Sequence, residues 1–387
     1  MEEDTVTNSE ARKSRVLVLF GGRSSEHAVS CVTAAGVLNA IDRERFDPVA
    51  VGITSEGQWV APSVDPRSYS FDGDQLPSVE SHASTVQMVT RHDASTETIT
   101  RLVEIDLDGA PIADLGHVDV VLPLLHGPFG EDGTLQGVLE LADLPYAGAG
   151  VLASAIGMDK HFMKIAFEAA GLKVGPYETV TARQWGSDRG TALRRLRRLQ
   201  LPLYVKPARA GSSVGITRVQ EWGQLDDAIA EAQRHDPKIV VEQGLTGREI
   251  ECGVLGGRGG SEPRTSLCGE IAVAGETGHP QFYDFAAKYT DALAASLSCP
   301  ADLPDEVTEE IRRQSVTAFE ALDAEGLSRA DFFFTVEGEI VINEVNTMPG
   351  FTPISMYPRM WEATGIGYSE LITELLELAL ERPVGLR

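Results

Sequence analysis

Residues 328–346, "SRADFFFTVEGEIVINEVN", read as two β-strands joined by a turn. Polar and apolar residues alternate along both arms, as on strands with one buried face. Glu337-Gly338 supplies a two-residue hairpin turn, which sets Asp331 opposite Glu344 and Arg329 opposite Asn346. Opposed residues share a face, so these four side chains point one way, while Phe332, Phe334, Val341 and Val345 face a core. Two carboxylates and an amide at one end of the hairpin form a patch of hard oxygen donors. Mg2+ takes such a set, one or two carboxylates with water and phosphate oxygens completing its shell. A solvated edge hairpin can carry the same residue types, but has no reason to gather them at one end.

Upstream, "LPLYVKPARAGSSVGITRV" (residues 201–219) reads as strand, glycine-rich loop and strand. Backbone N–H groups and hydroxyls in such a loop can wrap a phosphate, and Lys206 adds its charge. An ordinary hairpin loop is the competing reading, and no GK[ST] follows to make a Walker A motif. "KIVVEQGLTGREIECGVL" (residues 238–255) gives two more strands around a turn. Its Glu242 and Glu249 can accept hydrogen bonds from an amino-substituted base and from ribose hydroxyls; as surface charges they would be unremarkable.

Near the start, "SRVLVLFGGRSSEHAVS" opens as strand, turn and helix, and "DPVAVGIT" and "VDVVLPLLHG" read as further buried strands of that sheet. "GGRSSE" is not GxGxxG, so dinucleotide binding has no support. Residues 62–117 are polar and weakly periodic, a surface elaboration of the first domain. Asp159 caps a helix carrying Phe162, Ile165, Ala166 and Ala169 and ended by Gly171. An acidic helix follows at about 222–234, then a long loop at 275–303, a helix from Pro304 to about Glu325, and an amphipathic helix with Leu371, Ile372, Leu375, Leu376 and Leu378. The fold class is mixed α/β (α+β) with an N-terminal parallel sheet. The expected division is a flexible tail at 1–13, an α/β domain at 14–156, and two further domains at 157–238 and 239–387.

The chain of 387 residues is 42% hydrophobic and 24% charged, ordinary for a globular protein. No apolar run approaches the roughly 20 residues of a bilayer span, and the polar opening "MEEDTVTNSEARKS" lacks a secretory leader's apolar core. The net charge of −25 argues against general affinity for nucleic acid or anionic membrane. A polyanion such as ATP must then be met by a few local cations with metal. Cys31, Cys252, Cys268 and Cys299 form no CxxC pair and read as small hydrophobes of a reducing cytoplasm.

Seven stretches in order, "GGRSSEHAVS", "LLHGPFGEDGTLQG", "GMDK", "VKPARAGSSVG", "FYDFAAKYT", "SRADFFF" and "NEVNTMPGFTPISMYP", resemble the D-alanine-D-alanine ligase family of the ATP-grasp superfamily over roughly residues 14–375. The resemblance implies a three-domain ATP-grasp architecture, with ATP, two Mg2+ (or Mn2+) and a candidate K+. It implies that Glu26 holds the ammonium of the first D-alanine and that His126 lies near its carboxylate. Lys160, Lys206 and Lys288 would contact phosphates under a loop holding Ser212 and Ser213. Glu242, the backbone from Gln243 to Leu245, and Glu249 would bind adenine and ribose, with Phe282 near the base and Asn343 also at the nucleotide. Asp331 and Glu344 would hold one metal, Glu344 and Asn346 a second. Arg329 and the Gly350 N–H would meet the oxyanion, Ser355 with Met356 the second substrate, and Tyr289 would close a triad with Glu26 and Ser212. Gln243 departs from relatives that carry Lys there.

The activity implied is ATP-dependent joining of two D-alanines through a D-alanyl phosphate, in a cytoplasmic homodimer supplying a peptidoglycan precursor. Residues 275–291 would form a lid that excludes water. Competing readings are a ligase making D-alanyl-D-lactate, another carboxylate–amine ligase of the superfamily, and a non-enzymatic sensor. Tyr289, where ester-forming relatives carry His, favours the peptide product.

Overall fold

The apolar run at residues 16–20 becomes the centre of a sheet, as continuous hydrophobicity demands of a strand covered on both faces. The computed structural model describes residues 12–71, 76–92, 98–273 and 295–382. Strand β1 (Ser14–Gly21) leads to helix α1 (His27–Ala40), β2 (Phe46–Ile53) and a short β3 (Trp59–Val60). Next come β4 (Thr85–His92), β5 (Thr98–Ile105), β6 (Pro111–Val118) and β7 (Val120–Pro123). β2 and β7 flank β1 in parallel, with β3 antiparallel at the edge.

Strands β4 to β6 form a separate antiparallel sheet, so much of the polar 62–117 stretch is regular structure. Its apolar face (Val86, Leu102 and Val118) packs on Leu17, Leu19 and Val51. At the other end of the first sheet, Arg12 pairs with Asp119, and Lys13 Nζ donates to the Arg43 carbonyl. The rest of the tail lies outside the described residues.

Helices α2 (Thr134–Leu141), α3 (Val151–Met158) and α4 (Lys160–Ala169) follow. Asp159 caps α4 by accepting the His161 and Phe162 N–H groups. The buried face of α4 differs from the expected one: Met163, Lys164 and Phe167 are inside, while Phe162 is 54% exposed and Ile165 also faces out. A lysine is excluded from an apolar pattern, yet here it is buried because Glu242 neutralises it.

The second sheet is built from β8 (Tyr177–Thr181), β9 (Leu203–Pro207), β10 (Thr217–Val219) and β11 (Lys238–Gln243), in the order β10-β9-β11-β8. Helices α5 (Ala182–Ser187), α6 (Arg189–Leu196) and α7 (Leu225–Gln233) lie between these strands in sequence. Ala192 and Leu196 of α6 and Leu225, Ala228 and Ile229 of α7 cover Leu203, Val205, Ile239 and Val241.

The third sheet, in the order β14-β13-β12-β15-β16, contains β12 (Gly247–Leu255), β13 (Arg264–Val273), β14 (Ala295–Ser298), β15 (Leu327–Thr335) and β16 (Ile340–Asn346). Helix α8 (Asp305–Ala321) packs Ile311, Ala318 and Phe319 into its core. Although only residues 244–246 separate them, β11 and β12 belong to different sheets. Strand β14 falls inside what reads in sequence as loop. Cys252 and Cys268, distant in sequence, face each other across β12 and β13 as buried free thiols.

The β15–β16 hairpin departs from expectation near its turn. The loop has one more residue: the Gly338 N–H returns to the Thr335 carbonyl, and Gly338 adopts φ +81°, a left-handed conformation that suits glycine. The register there is Phe334 opposite Ile340. A bulge between Asp331 and Phe332 then restores Asp331 opposite Glu344 and Arg329 opposite Asn346. The polar patch therefore survives, while Val341 pairs with Phe333 and Ile342 joins Phe332 and Val345 in the core.

Helices α9 (Met356–Thr364) and α10 (Tyr368–Glu381) return the chain to the first sheet. Tyr357, Trp361, Leu371, Ile372, Leu375 and Leu376 share a core with Val16, Val18 and Val37. No described helix is long and apolar enough to cross a membrane.

Candidate active site

A cavity of about 1000 Å³ is lined by residues from the N-terminal region and from the second and third sheets, a volume suited to a nucleotide with small substrates. Every expected site residue that the structure describes lines it: Glu26, His126, Lys160, Lys206, Ser212, Ser213, Glu242, Gln243, Leu245, Glu249, Arg329, Asp331, Asn343, Glu344, Asn346, Gly350, Ser355 and Met356. Phe282, Lys288, Tyr289 and the 275–291 lid lie outside the described residues.

Glu26 sits at the start of α1. A Cβ on Gly211 would lie 3.1 Å from Glu26 Oε2, and one on Gly127 3.5 Å from it, so two glycines let the loops close around this carboxylate. The next residues, Ser212 and Ser213, adopt φ of +47° and +60°, uncommon for non-glycine residues and a form of strain found at binding loops. Ser212 Oγ is buried without a hydrogen-bond partner among the described residues. So is His126 Nε2, while His126 Nδ1 lies 3.1 Å from the Met348 carbonyl.

The opposite wall is cationic. Lys160, first residue of α4, donates to the Ala210 carbonyl at 2.8 Å and lies 3.8 Å from Glu344. Glu242 is held between Lys206 at 2.5 Å and Lys164 at 3.0 Å. Burial works against its charge, but Lys164 and then Lys206 outweigh burial and hold the Glu242 carboxyl at about 2. Burial likewise opposes the Lys206 charge, yet Glu242 and Glu344 keep its pKa above the ordinary lysine value.

On the hairpin, the Arg329 guanidinium forks onto Asp331 with two bonds of 2.7 Å and reaches Glu251 at 3.1 Å. Burial disfavours its charge, and Asp331 with Glu251 more than compensate. Asn346 Nδ2 donates to Asp331 at 2.9 Å. Among the described residues no three acidic, histidine or cysteine side chains form a metal cage. Asp331, Glu344 and the Asn346 amide supply too few oxygens alone, so phosphate and water must complete a shell. That incomplete oxygen set fits Mg2+.

Two of the expected contact regions already carry internal hydrogen bonds. The Gln243 and Gly244 N–H groups already bond the Pro176 and Pro202 carbonyls, and Gln243 Oε1 accepts the Gln200 N–H. Those two N–H groups therefore hold this segment to its neighbours. Ser355 caps α9 in position but shares its hydroxyl with Thr352 at 2.7 Å.

Sequence reasoning passed over Lys164, Glu131 and Glu251. Each had a signal: Lys164 follows Lys160 by one helical turn, and Glu251 repeats Glu249 at strand period. Glu131 lies in the quoted "HGPFGEDG". Its Oε2 accepts the Gly127 N–H at 2.6 Å and Oε1 the Met348 N–H at 2.9 Å. Burial, aided by the nearby Glu26 charge, pushes this carboxyl up to about 8 despite both donors.

A parallel-sheet lobe joined to two further sheets around a lysine-and-carboxylate cavity is the architecture of ATP-grasp ligases. The family models for the D-ala D-ala ligase N-terminus and C-terminus match residues 15–149 and 166–377. The chain is 59% identical over 375 residues to the D-alanine–D-alanine ligase of Arthrobacter sp. (strain FB24), covering 97% of this chain and 96% of that one. The corresponding protein of Kocuria rhizophila is 55% identical over 385 residues, covering 100% and 99%. Among solved structures, the D-alanine-D-alanine ligase from Coxiella burnetii matches with a TM-score of 0.74 at 33% identity, covering 96% of this chain and 95% of that one. The VanG D-Ala:D-Ser ligase from Enterococcus faecalis matches at 0.76 and 34%, covering 95% and 100%. The chain belongs to the D-alanine–D-alanine ligase family.

Proposed function

We propose that this protein joins two D-alanines into D-alanyl-D-alanine, converting ATP to ADP and phosphate. The observation that carries this reading is that side chains suited to an amino acid and side chains suited to phosphate line a single cavity. Glu26, His126, Lys160, Lys206, Asp331 and Glu344 all line it; in this reading the first two serve the amino acid and the other four the phosphates.

A carboxylate is a poor electrophile, so the first D-alanine is activated by phosphoryl transfer from ATP to its carboxylate oxygen. Glu26 orients that substrate through its ammonium. Lys160 and Lys206 draw the phosphates into line, with Lys206 leaving Glu242 to do so, and positioning with charge compensation supplies most of the catalysis. Asp331, Glu344 and Asn346 would hold Mg2+ or Mn2+, which when bound would supply further neutralisation of phosphoryl charge. The second D-alanine docks its carboxylate at the positive N-terminal end of α9, beside Ser355 and Met356. Its neutral amine attacks the acyl carbon, Arg329 and the Gly350 N–H meet the developing oxyanion, and phosphate leaves.

In the same reading Glu249 binds ribose, and Phe282, Lys288 and Tyr289 complete the nucleotide site and the Glu26–Ser212 triad. The protein works as a cytoplasmic homodimer, with K+ as an added activator and three domains divided at about residues 156 and 238. It engages neither nucleic acid nor membrane. The test is phosphate release from ATP against a panel of D- and L-amino acids and D-lactate, with product identified by mass. Turnover is expected with D-alanine and a dipeptide product; equal or faster turnover with D-lactate or an L-amino acid would replace this assignment.

A further inference from the structure

Glu131 stands where two loops of the cavity meet. Its two carboxylate oxygens take one backbone N–H from each loop: Gly127, directly after His126, and Met348, two residues before Gly350. The Met348 peptide is held on its other side as well, since its carbonyl lies 3.1 Å from His126 Nδ1. The loop that carries Glu131 is itself stiff. The Gly130 and Glu131 N–H groups both return to the Gly127 carbonyl, and buried Gln136 donates to the Gly130 carbonyl at 2.8 Å. A Cβ on Gly130 would lie 2.6 Å from Leu125 Cβ, which leaves that loop no room to shift. Among the described residues, the 347–350 segment shows no such internal hydrogen bonds, and the Met348 N–H is tied to the rest of the molecule through Glu131.

Resting on the ligase reading above, we infer that Glu131 is a positioning residue for the acyl-transfer half of the reaction. Its carboxylate clasps the His126 loop to the Gly350 loop and so places the oxyanion donor over the acyl carbon. Above about pH 8, where Glu131 is charged, its carboxylate accepts both N–H groups at once. A glutamine accepts one and turns its NH2 against the other donor, so Glu131→Gln opens half of the clasp at nearly constant volume. Glu131→Asp is shorter and cannot span both loops.

Displacements near 1 Å at such donors cost on the order of 10²-fold in rate. Phosphoryl transfer takes place at the lysine and hairpin end and should persist in the variants. D-alanyl phosphate waiting on a misplaced donor is then lost to water: the water oxygen bonds the acyl carbon, the acyl–oxygen bond breaks, and D-alanine and phosphate leave.

The full-length Glu131→Gln and Glu131→Asp proteins are compared with wild type, above about pH 8, by dipeptide yield, phosphate yield, KM for ATP and hydrogen–deuterium exchange. The expected result is a dipeptide kcat lower on the order of 10²-fold, an unchanged KM for ATP, more phosphate than dipeptide, and faster exchange at both Gly127 and Met348. A purely structural role lowers every activity with the folded fraction and keeps phosphate equal to dipeptide; that result overturns the inference. Should wild type make no dipeptide, the ligase reading fails by itself. The exchange comparison still decides the clasp, and unchanged protection at Met348 in both variants refutes it.

Discussion

Lys164→Met removes one of the two cations that hold Glu242. Lys164 is 2% exposed, lies 3.0 Å from Glu242 and donates to the Asn343 carbonyl at 3.3 Å. The Glu242 carboxyl sits at about 2 rather than its ordinary 4.5, a difference worth about 3 kcal/mol of preference for the charged form. Lys206 remains at 2.5 Å, so the loss is a part of that figure plus an unbonded carbonyl, about 2–3 kcal/mol in all. This is below the roughly 3–5 kcal/mol of a fully orphaned buried charge. Differential scanning fluorimetry should show a melting point lower by roughly 2–4 °C at neutral pH for a chain of this length. Because the folded pKa of Glu242 is depressed, its stabilisation is complete above about 4.5 and is lost as pH falls towards about 2. The gap between variant and wild type should therefore narrow across that window. KM for ATP should rise about tenfold, equivalent to about 1.4 kcal/mol, since Lys206 must now serve both Glu242 and phosphate. A variant that melts with wild type at neutral pH, or a gap unchanged down to about pH 3, refutes the reasoning.

Asp331→Asn keeps the shape of the hairpin but removes the charge that Arg329 grips and one hard ligand. Turnover should fall on the order of 10³-fold at every Mg2+ concentration tested, and wild-type rates would remove the hairpin from the chemistry. Gly211→Ala places a methyl 3.1 Å from Glu26 Oε2, so KM for the first D-alanine should rise about tenfold while the melting point holds. Phe167, fully buried, should cost about 3–5 kcal/mol on truncation to Ala. Phe162 lies outside with its ring 4.1 Å from Lys238 Nζ, and the same truncation should cost about 1 kcal/mol or less in chemical denaturation.

The legible part of the site was the part written in local periodicity. Strand alternation placed Arg329, Asp331, Glu344 and Asn346 on one face, and the motifs around them named the family. The turn was less legible, because a three-residue loop and a later bulge compensate each other and leave the same pairing at the polar end. The face of α4 was misread since a buried Lys164 breaks an apolar pattern, and only the distant Glu242 makes that burial tolerable. The β4–β6 sheet was hidden by its thin apolar face, Val86, Leu102 and Val118 among threonines and charges. That β11 and β12 part into different sheets is set by neighbours far away in sequence.

The central claim is that the carboxylate of one D-alanine receives phosphate from ATP in this cavity. D-alanine labelled with heavy oxygen in its carboxylate, supplied with ATP and unlabelled water, tests it by mass analysis of the released phosphate. Label appearing in phosphate in step with dipeptide is the predicted result. Phosphate released with dipeptide but carrying no label would contradict the account.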